Sequence, residues 1–469
     1  MRKYVLYALL IALIAAFALP AAAQDDDMAM PDFITHTACE VDLTGETITI
    51  YHFGDISGSF AFITQPLLAG FEDAINYFNE RGGVCGATLA QDNRDTGGDL
   101  AQTQAHYDYY STLDDTPDLF VLYASADSEL LRAQLVEDQI PAIISAGSVE
   151  GLYGESGDDP GWIFATNPLY ADQFGAFCDF VGADTMDMYP DNPTIGYISW
   201  PGAFGEAAYT PDTIAYCEAA GVTVLDTPEY FLPTATDISG NVLNLVDAGA
   251  NILYTNSLAS GPAAVARTVT ELGLENEVML AGVNWALDTS VGLVSSGQTL
   301  GEDGLPSVNG LIGSLPFNWW TERQLPGIAL LNEQAALNER SLPTQNISYL
   351  LGWSTVDLYI ELYTQAANAA GSVAAVDGAQ IYDLLESVEY SPLGLTPISF
   401  AGGELRSVPN NRMAMLAFLN ADMTGPATSG EDALIVPTET GQIFVPILVP
   451  LTDFASAPDL RPGMMMDGG

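Results

Sequence analysis

The sequence predicts an α/β protein built as two doubly wound parallel-sheet lobes. Three observations carry this expectation. Strand-like and helix-like segments alternate from Ile48 to beyond residue 280, the pattern of parallel sheets with helices on both faces. Runs such as Leu119-Phe-Val-Leu-Tyr123 are apolar throughout, as suits strands buried on both faces. The βα pattern also repeats on either side of residue 165, and with 469 residues and 48% hydrophobic content the chain has material for two cores.

The elements follow in order. Ile48-Thr-Ile-Tyr-His-Phe53 is a β-branched and aromatic strand, broken at Gly54-Asp-Ile-Ser-Gly58, where two glycines permit a tight turn that leaves backbone N–H groups free. A helix over Pro66–Glu80 places Leu67, Phe71, Ala74, Ile75 and Phe78 on one face, and Arg81-Gly-Gly83 stops it. Further strands are expected at 88–92, 119–123, 142–145, 194–200, 223–231, 252–255 and 278–281. Helices are expected at 99–111, 128–139, 171–181, 207–220, 238–247 and 261–272. Trp162–Pro168 reads as the first crossover between lobes. After Leu311 the pattern is less regular: Phe317–Trp320 suits packing at the lobe junction better than a place over a cleft mouth. Pro397–Gly403 reads as the last crossing and Met413–Leu419 as a final strand. Beyond Asn420 come Pro-bounded apolar runs that either add edge strands or contact a partner, and Met464–Gly469 reads as a frayed end.

The first residues read as an export signal. Arg2 and Lys3 form a basic start, Tyr4–Leu19 an apolar stretch, and Pro20-Ala-Ala-Ala23 a small-residue cleavage site, so cleavage after Ala23 is expected. The apolar run is shorter than the ~20 residues a membrane anchor needs. Cys39 lies too far downstream for a lipoprotein site. Lys3 is the only lysine, so the mature chain carries nine arginines against 61 acidic residues, a formal charge of 9 − 61 = −52. Charged residues make up only 15% of the chain, so the imbalance reflects missing bases. Such a field repels nucleic acid and anionic membranes, which excludes both as partners. It suits a salty or acidic habitat, or reflects a general compositional bias.

Four cysteines in an exported chain point to disulfides, with three pairings possible. Cys39–Cys85 and Cys178–Cys217 are preferred, because Cys39 precedes the first strand and Cys85 enters the second. Cys178 and Cys217 fall on helices flanking the strand Thr194–Trp200. Free buried thiols are the alternative. His36, His52 and His106 show no metal-ligand spacing with these cysteines, so no metal and no cofactor are expected. Neither His-Glu-x-x-His nor a phosphate-binding Gly-x-x-x-x-Gly-Lys occurs, and Gly154-Glu-Ser-Gly157 lacks the spacing of a nucleophile elbow. No catalytic residue is assigned.

Several stretches in this order resemble the type I periplasmic solute-binding proteins of ABC importers, the branched-chain amino acid-binding family. They are the strand–loop–helix from Ile48; Leu122-Tyr-Ala-Ser-Ala-Asp127; Ile140-Pro-Ala-Ile-Ile-Ser-Ala-Gly-Ser148; Ile195–Trp200 with Phe204-Gly-Glu206; and Tyr349–Asp357. The resemblance spans roughly residues 47–420. It implies two lobes joined by a three-stranded hinge, with 47–165 and 311–398 forming the first lobe and 166–310 and 399–420 the second. An acidic segment at 24–46 would precede them and a C-terminal extension at 421–469 would follow.

The resemblance also implies a ligand cleft at the carboxyl ends of the strands. Ser57 would contribute from the first loop. Ser125, Ala126 and the backbone of Ala146, Gly147 and Ser148 would hold a ligand carboxylate or carbonyl. Phe60, Phe62, Tyr170, Phe204 and Trp353 are candidates for the apolar wall. In another context the two serines would be turn caps and the rings plain core. One departure matters. Amino acid-binding members place an acid in the second lobe against the ligand ammonium, and here Asn284 or Trp285 stands at that point; Asn256-Ser-Leu258 replaces a tyrosine that some members use. Neutral partners suit an amide, a urea-like molecule or a carboxylate, unless Asp288 supplies the missing acid. The implied role is capture of a small polar ligand (an amino acid, an amide, a urea-like molecule or a carboxylate) between two lobes by a monomer and delivery to the permease subunits of an ABC transporter. The alternatives are a ligand-sensing module for a membrane receptor, or a surface protein without transport.

Overall fold

The computed structural model describes residues 29–113, 116–183, 186, 188–295, 299–437 and 442–464. The expected export signal, residues 1–23, and the end at 465–469 lie outside the described residues. The chain divides into two compact units, Met1–Asp32 and Phe33–Gly469, and the second carries both lobes.

The first lobe holds strands β1 (Thr47–Gly54), β2 (Thr88–Asp95), β3 (Phe120–Val121), β4 (Ala142–Ile144) and β5 (Ile163–Ala165). They form one parallel sheet in the order β2-β1-β3-β4-β5. Its helices are α1 (Ala61–Asn79), α2 (Leu100–Ser111), α3 (Ser125–Asp138) and the short α4 (Val149–Tyr153). Helix α3 starts three residues before the sequence expectation, because the Asp127 carboxylate at its N3 position accepts the Ala124 N–H and Asp127 N bonds back to Ala124 O. Phe53, Tyr110, Phe120, Leu131, Leu135, Ile144 and Ile163 form the core beneath these helices.

In the second lobe come α5 (Tyr170–Ala183), β6 (Thr194–Ser199), α6 (Pro211–Ala219), β7 (Thr223–Val224), β8 (Glu229–Tyr230), α7 (Ser239–Asp247), β9 (Ile252–Thr255), α8 (Ser260–Glu271), β10 (Met279–Gly282), α9 (Thr289–Ser295) and β11 (Ile312–Ser314). The stretch 223–231, expected as one strand, is two short ones that both pair with β6; Pro228 has no N–H to continue the ladder. The expected crossing at 311 comes later, since β11 pairs with β10 in the second sheet.

The chain then returns to the first lobe with α10 (Pro326–Leu337), α11 (Ile347–Ala370) and α12 (Gly378–Ser387). Helices α11 and α1 approach closely because glycines meet there. A Cβ on Gly352 would stand 2.6 Å from Leu67 O, and one on Gly70 2.5 Å from Tyr349 O. The arm before β1 is pinned along α11: His36 Nε2 lies 2.6 Å from Asp357, Thr37 N donates to Glu361 and Asn368 donates to Ala38 O. Trp319 is fully buried and Trp320 Nε1 donates to Asn346 O, so this aromatic run packs the junction.

Pro397–Gly403 does not make the last crossing. Strands β12 (Glu389–Tyr390) and β13 (Ile398–Ser399) form a ribbon in that stretch, and the crossing follows at Arg406–Arg412. There Ser407 bridges Ala165, and Leu315 N donates to Arg412 O at 2.8 Å, so three adjacent segments make the hinge. The remaining strands are β14 (Asn410–Asn411), β15 (Met413–Phe418), β16 (Ile435–Pro437), β17 (Gln442–Phe444), β18 (Pro446–Pro450) and β19 (Ala455–Ser456). The second sheet runs β18-β15-β11-β10-β9-β6-β7, antiparallel only at β15 and β18. Within the stretch expected as a C-terminal extension, β18 is the edge strand of that sheet. Disulfides join Cys39 to Cys85 and Cys178 to Cys217, the second tying α5 to α6.

Candidate functional site

The carboxyl ends of β1, β3 and β4 from one lobe meet those of β6, β9 and β10 from the other. On the first lobe, the Gly54–Gly58 loop does not offer free amides. Asp55 accepts the N–H groups of Gly58 and Phe60, and Asp95 accepts those of Ile56 and Ser57. Asp55 binds its own turn, as short-chain carboxylates commonly do, and Asp95 reaches it from the end of β2. Ser57 is exposed in that turn, and Phe62 is 36% exposed, while Phe60 turns across the cleft.

Ser125 is buried at the first residue of α3, with Ala126 half-buried beside it. Its hydroxyl and the Trp285 indole flank the Tyr170 hydroxyl, whose pKa burial raises. Tyr170 also ties the lobes: its N–H donates to Gly147 O at 3.3 Å, and its hydroxyl lies 3.5 Å from Ala146 O. The Ser148 hydroxyl is already engaged. It accepts from Gly151 N as the cap of α4 and donates to Glu129 at 2.6 Å.

The second lobe contributes a residue that the sequence reading did not select. Trp200, directly after β6, is 3% exposed and stacks on Phe60 with ring centroids 5.5 Å apart. Phe204 meets Trp200 and Tyr170 edge-on, at 6.3 and 5.2 Å. Asn256, the residue after β9, donates to Phe204 O at 2.6 Å. Asn284, two residues beyond β10, is held by its backbone: its N–H donates to Gln173 Oε1 at 2.9 Å, and Gln173 Nε2 donates to Pro168 O. Gln173 is thus a positioning residue that no local motif reveals. The polar ends of this group lack partners. Among the described residues, Trp200 Nε1, Asn256 Oδ1 and both amide atoms of Asn284 are buried without a hydrogen bond. Unpaired buried polar atoms cost free energy and cluster where a ligand completes them.

Two expectations are corrected. Trp353 is not a cleft wall; it is fully buried in the α1–α11 interface, 5.5 Å from Tyr77 and 6.2 Å from Phe78. Asp288 does not supply the missing acid. It is fully buried, Oδ2 accepts from Ser290 N and Oγ, and Oδ1 accepts from Ile347 N, so it caps both α9 and α11. The space around Trp285, Tyr123 and Ser145 is tight, about 30 Å³. A larger cavity of about 460 Å³ opens between the lobes beside it, lined by Glu129 and Glu150 on one side and Glu206 and Asp212 on the other. No group of three or more metal-ligating side chains occurs among the described residues.

Solved structures share this architecture at low identity. A branched-chain amino acid ABC transporter protein from Thermus thermophilus, with bound valine, matches with a TM-score of 0.69 at 17% identity, over 90% of this chain and 100% of its own. A fatty acid ABC transporter substrate-binding protein from Thermomonospora curvata matches with a TM-score of 0.67 at 16% identity, over 91% and 96%. A solute-binding protein from R. palustris, in complex with 4-hydroxybenzoate, matches with a TM-score of 0.65 at 14% identity, over 88% and 98%. No protein of curated function matches in sequence. The model of the periplasmic binding protein family matches residues 47–418, which span both sheets and the hinge. The chain belongs to the periplasmic binding protein family, and its role is solute binding.

Proposed function

We propose that the mature protein, exported and cleaved after Ala23, closes its lobes on a small ligand with a neutral or anionic polar head and delivers it to the permease subunits of an ABC importer. One observation carries the ligand class. The second-lobe face of the cleft offers Trp200, Asn256 and Asn284, all neutral, all buried and all with unpaired polar atoms. The nearby acid, Asp288, is spent on two helix caps. A ligand ammonium placed against this face would remain an unpaired buried charge, which costs several kcal/mol. An amide or carboxylate instead matches an indole N–H and two carboxamides. The rings of Phe60, Tyr170, Trp200 and Phe204 suit an apolar body behind that head. The similar proteins carry valine or 4-hydroxybenzoate, or are described as fatty acid-binding, so one architecture serves several chemistries and the side chains in the cleft decide among them. Ligand contacts made only in the closed arrangement shift the hinge equilibrium towards it.

Thermal unfolding of the mature protein against matched amino acids, amides, urea-like molecules and carboxylates tests the reading. A ligand at 100 times its Kd adds about 2.7 kcal/mol of stability. Amides or carboxylates should raise the midpoint and branched-chain amino acids should not. A shift with leucine, isoleucine or valine alone would overturn the neutral-or-anionic assignment.

A further inference from the structure

The family match ends at residue 418, yet the chain beyond it returns to both lobes. Strand β19 pairs with β14 at the third hinge segment. The chain then crosses α5 of the second lobe, where Leu460 N donates to the buried Asp172 at 2.9 Å. Gly175 makes room for it: a Cβ there would stand 2.5 Å from Leu460 Cδ1. The next residues reach the first lobe. The Arg461 guanidinium lies 4.2 Å over the Tyr153 ring, and Pro462 sits on Gly157, where a Cβ would come within 2.4 Å of its Cδ. A glycine on each lobe thus receives the same segment, and Leu460 and Pro462 wall the 460 Å³ cavity between the lobes.

The two attachments differ in kind. The second-lobe end has a buried hydrogen bond to α5 and Leu460 at 1% exposure, and it follows strand pairing at the hinge. The first-lobe end has one ring face and one Gly–Pro contact. Closure also gathers Glu129 and Glu150 opposite Glu206 and Asp212, so like charges resist it. Arg461, one of nine arginines in the mature chain, lies between the two cavity-lining residues Leu460 and Pro462 and contacts Asp459 at 2.6 Å. We propose that residues 455–464 form a latch, anchored on the second lobe, that grips the first through Arg461 and Pro462 and holds the lobes closed. Arg461 is then a positioning residue for ligand capture.

The test needs no ligand, so it stands apart from the ligand-class reading. Nitroxides placed at E137C on α3 and D247C on α7, both exposed sites, report the inter-lobe distance by electron–electron resonance in the full mature protein. Arg461→Gln should move the distribution to longer distances, Arg461→Lys should keep it near the parent, and molar salt should shorten it again in Arg461→Gln by screening the facing carboxylates. An unchanged distribution in Arg461→Gln overturns the latch. So does a lowered unfolding midpoint with no change in distance, which would make Arg461 merely structural.

Discussion

Asn284 offers a sharp perturbation, because its role in the cleft and its cost to the fold pull in opposite directions. The side chain is fully buried, and neither amide atom has a partner. Its backbone is fixed independently through Gln173. Replacing it with leucine removes two unsatisfied polar atoms and keeps a side chain of similar reach. A buried polar group without a partner costs roughly 1–3 kcal/mol, so Asn284→Leu should stabilise the unliganded protein by about 2 kcal/mol. With an unfolding entropy of about 2.1 cal/mol/K per residue, that is a rise of roughly 2 °C for a chain of this length. The same change removes one or two hydrogen bonds to the ligand, raising Kd roughly 10–100-fold. Calorimetry of the unliganded variant and titration with the ligand found in the thermal panel measure both quantities. A variant that loses several degrees and binds as before would refute the argument, since the amide would then serve the fold and not the ligand.

Two further predictions follow from buried groups. Burial pushes the Asp172 carboxyl up to about 8, against the Leu460 N–H, which favours ionisation; Asp459 opposes ionisation and Arg461 assists it. The native state therefore holds this proton more tightly than the unfolded chain, so its stabilising effect is complete below about pH 4 and is lost as pH rises through 8. The difference between the stability–pH curves of parent and Asp172→Asn should change by several kcal/mol across that window, about 6 at most; parallel curves would count against the assignment. Replacing Cys178 and Cys217 together by alanine opens a loop with a sequence separation of 39. Denaturant titration should show a loss of about 4 kcal/mol by the chain-entropy relation, and a loss below about 1 would mean that the unfolded chain is already compact there.

Most of the βα order was legible because it is written locally. Alternating or continuous apolar runs set strands, 3.6-residue spacing set helices, and glycines and prolines set their ends. The departures arose where a distant partner or a missing donor intervened. Pro228 split one strand, and the pairing of β12 with β13 moved the last crossing to Arg406–Arg412. The disulfide partners were readable from chain order: Cys39 precedes the first strand and Cys85 enters the second beside it, and Cys178 and Cys217 lie on consecutive helices that neighbouring βα units bring together.

The cleft was only partly legible. That strand ends would carry it follows from topology, and the neutral character of Asn256 and Asn284 was visible in the sequence itself. Trp200 looked like the end of an apolar strand, and its stacking on Phe60 exists only once the lobes meet. Trp353 looked like a wall and is core, because only the close contact of α1 and α11 shows which side of a ring is covered. The sequence by itself determined the fold class, the acid-rich composition with a single lysine, Lys3, and the absence of an acid at the Asn284–Trp285 position. The tertiary structure decided that Asp288 is consumed by two helix caps, that Gln173 positions Asn284, and that Leu460 and Arg461 contact α5 and Tyr153 respectively. The physical reason is one of range: propensity and periodicity act within a few residues, whereas a hydrogen-bond partner or a ring neighbour is often supplied by packing of segments far apart in the sequence, 59 positions for Asp288 and Ile347 and 111 for Gln173 and Asn284.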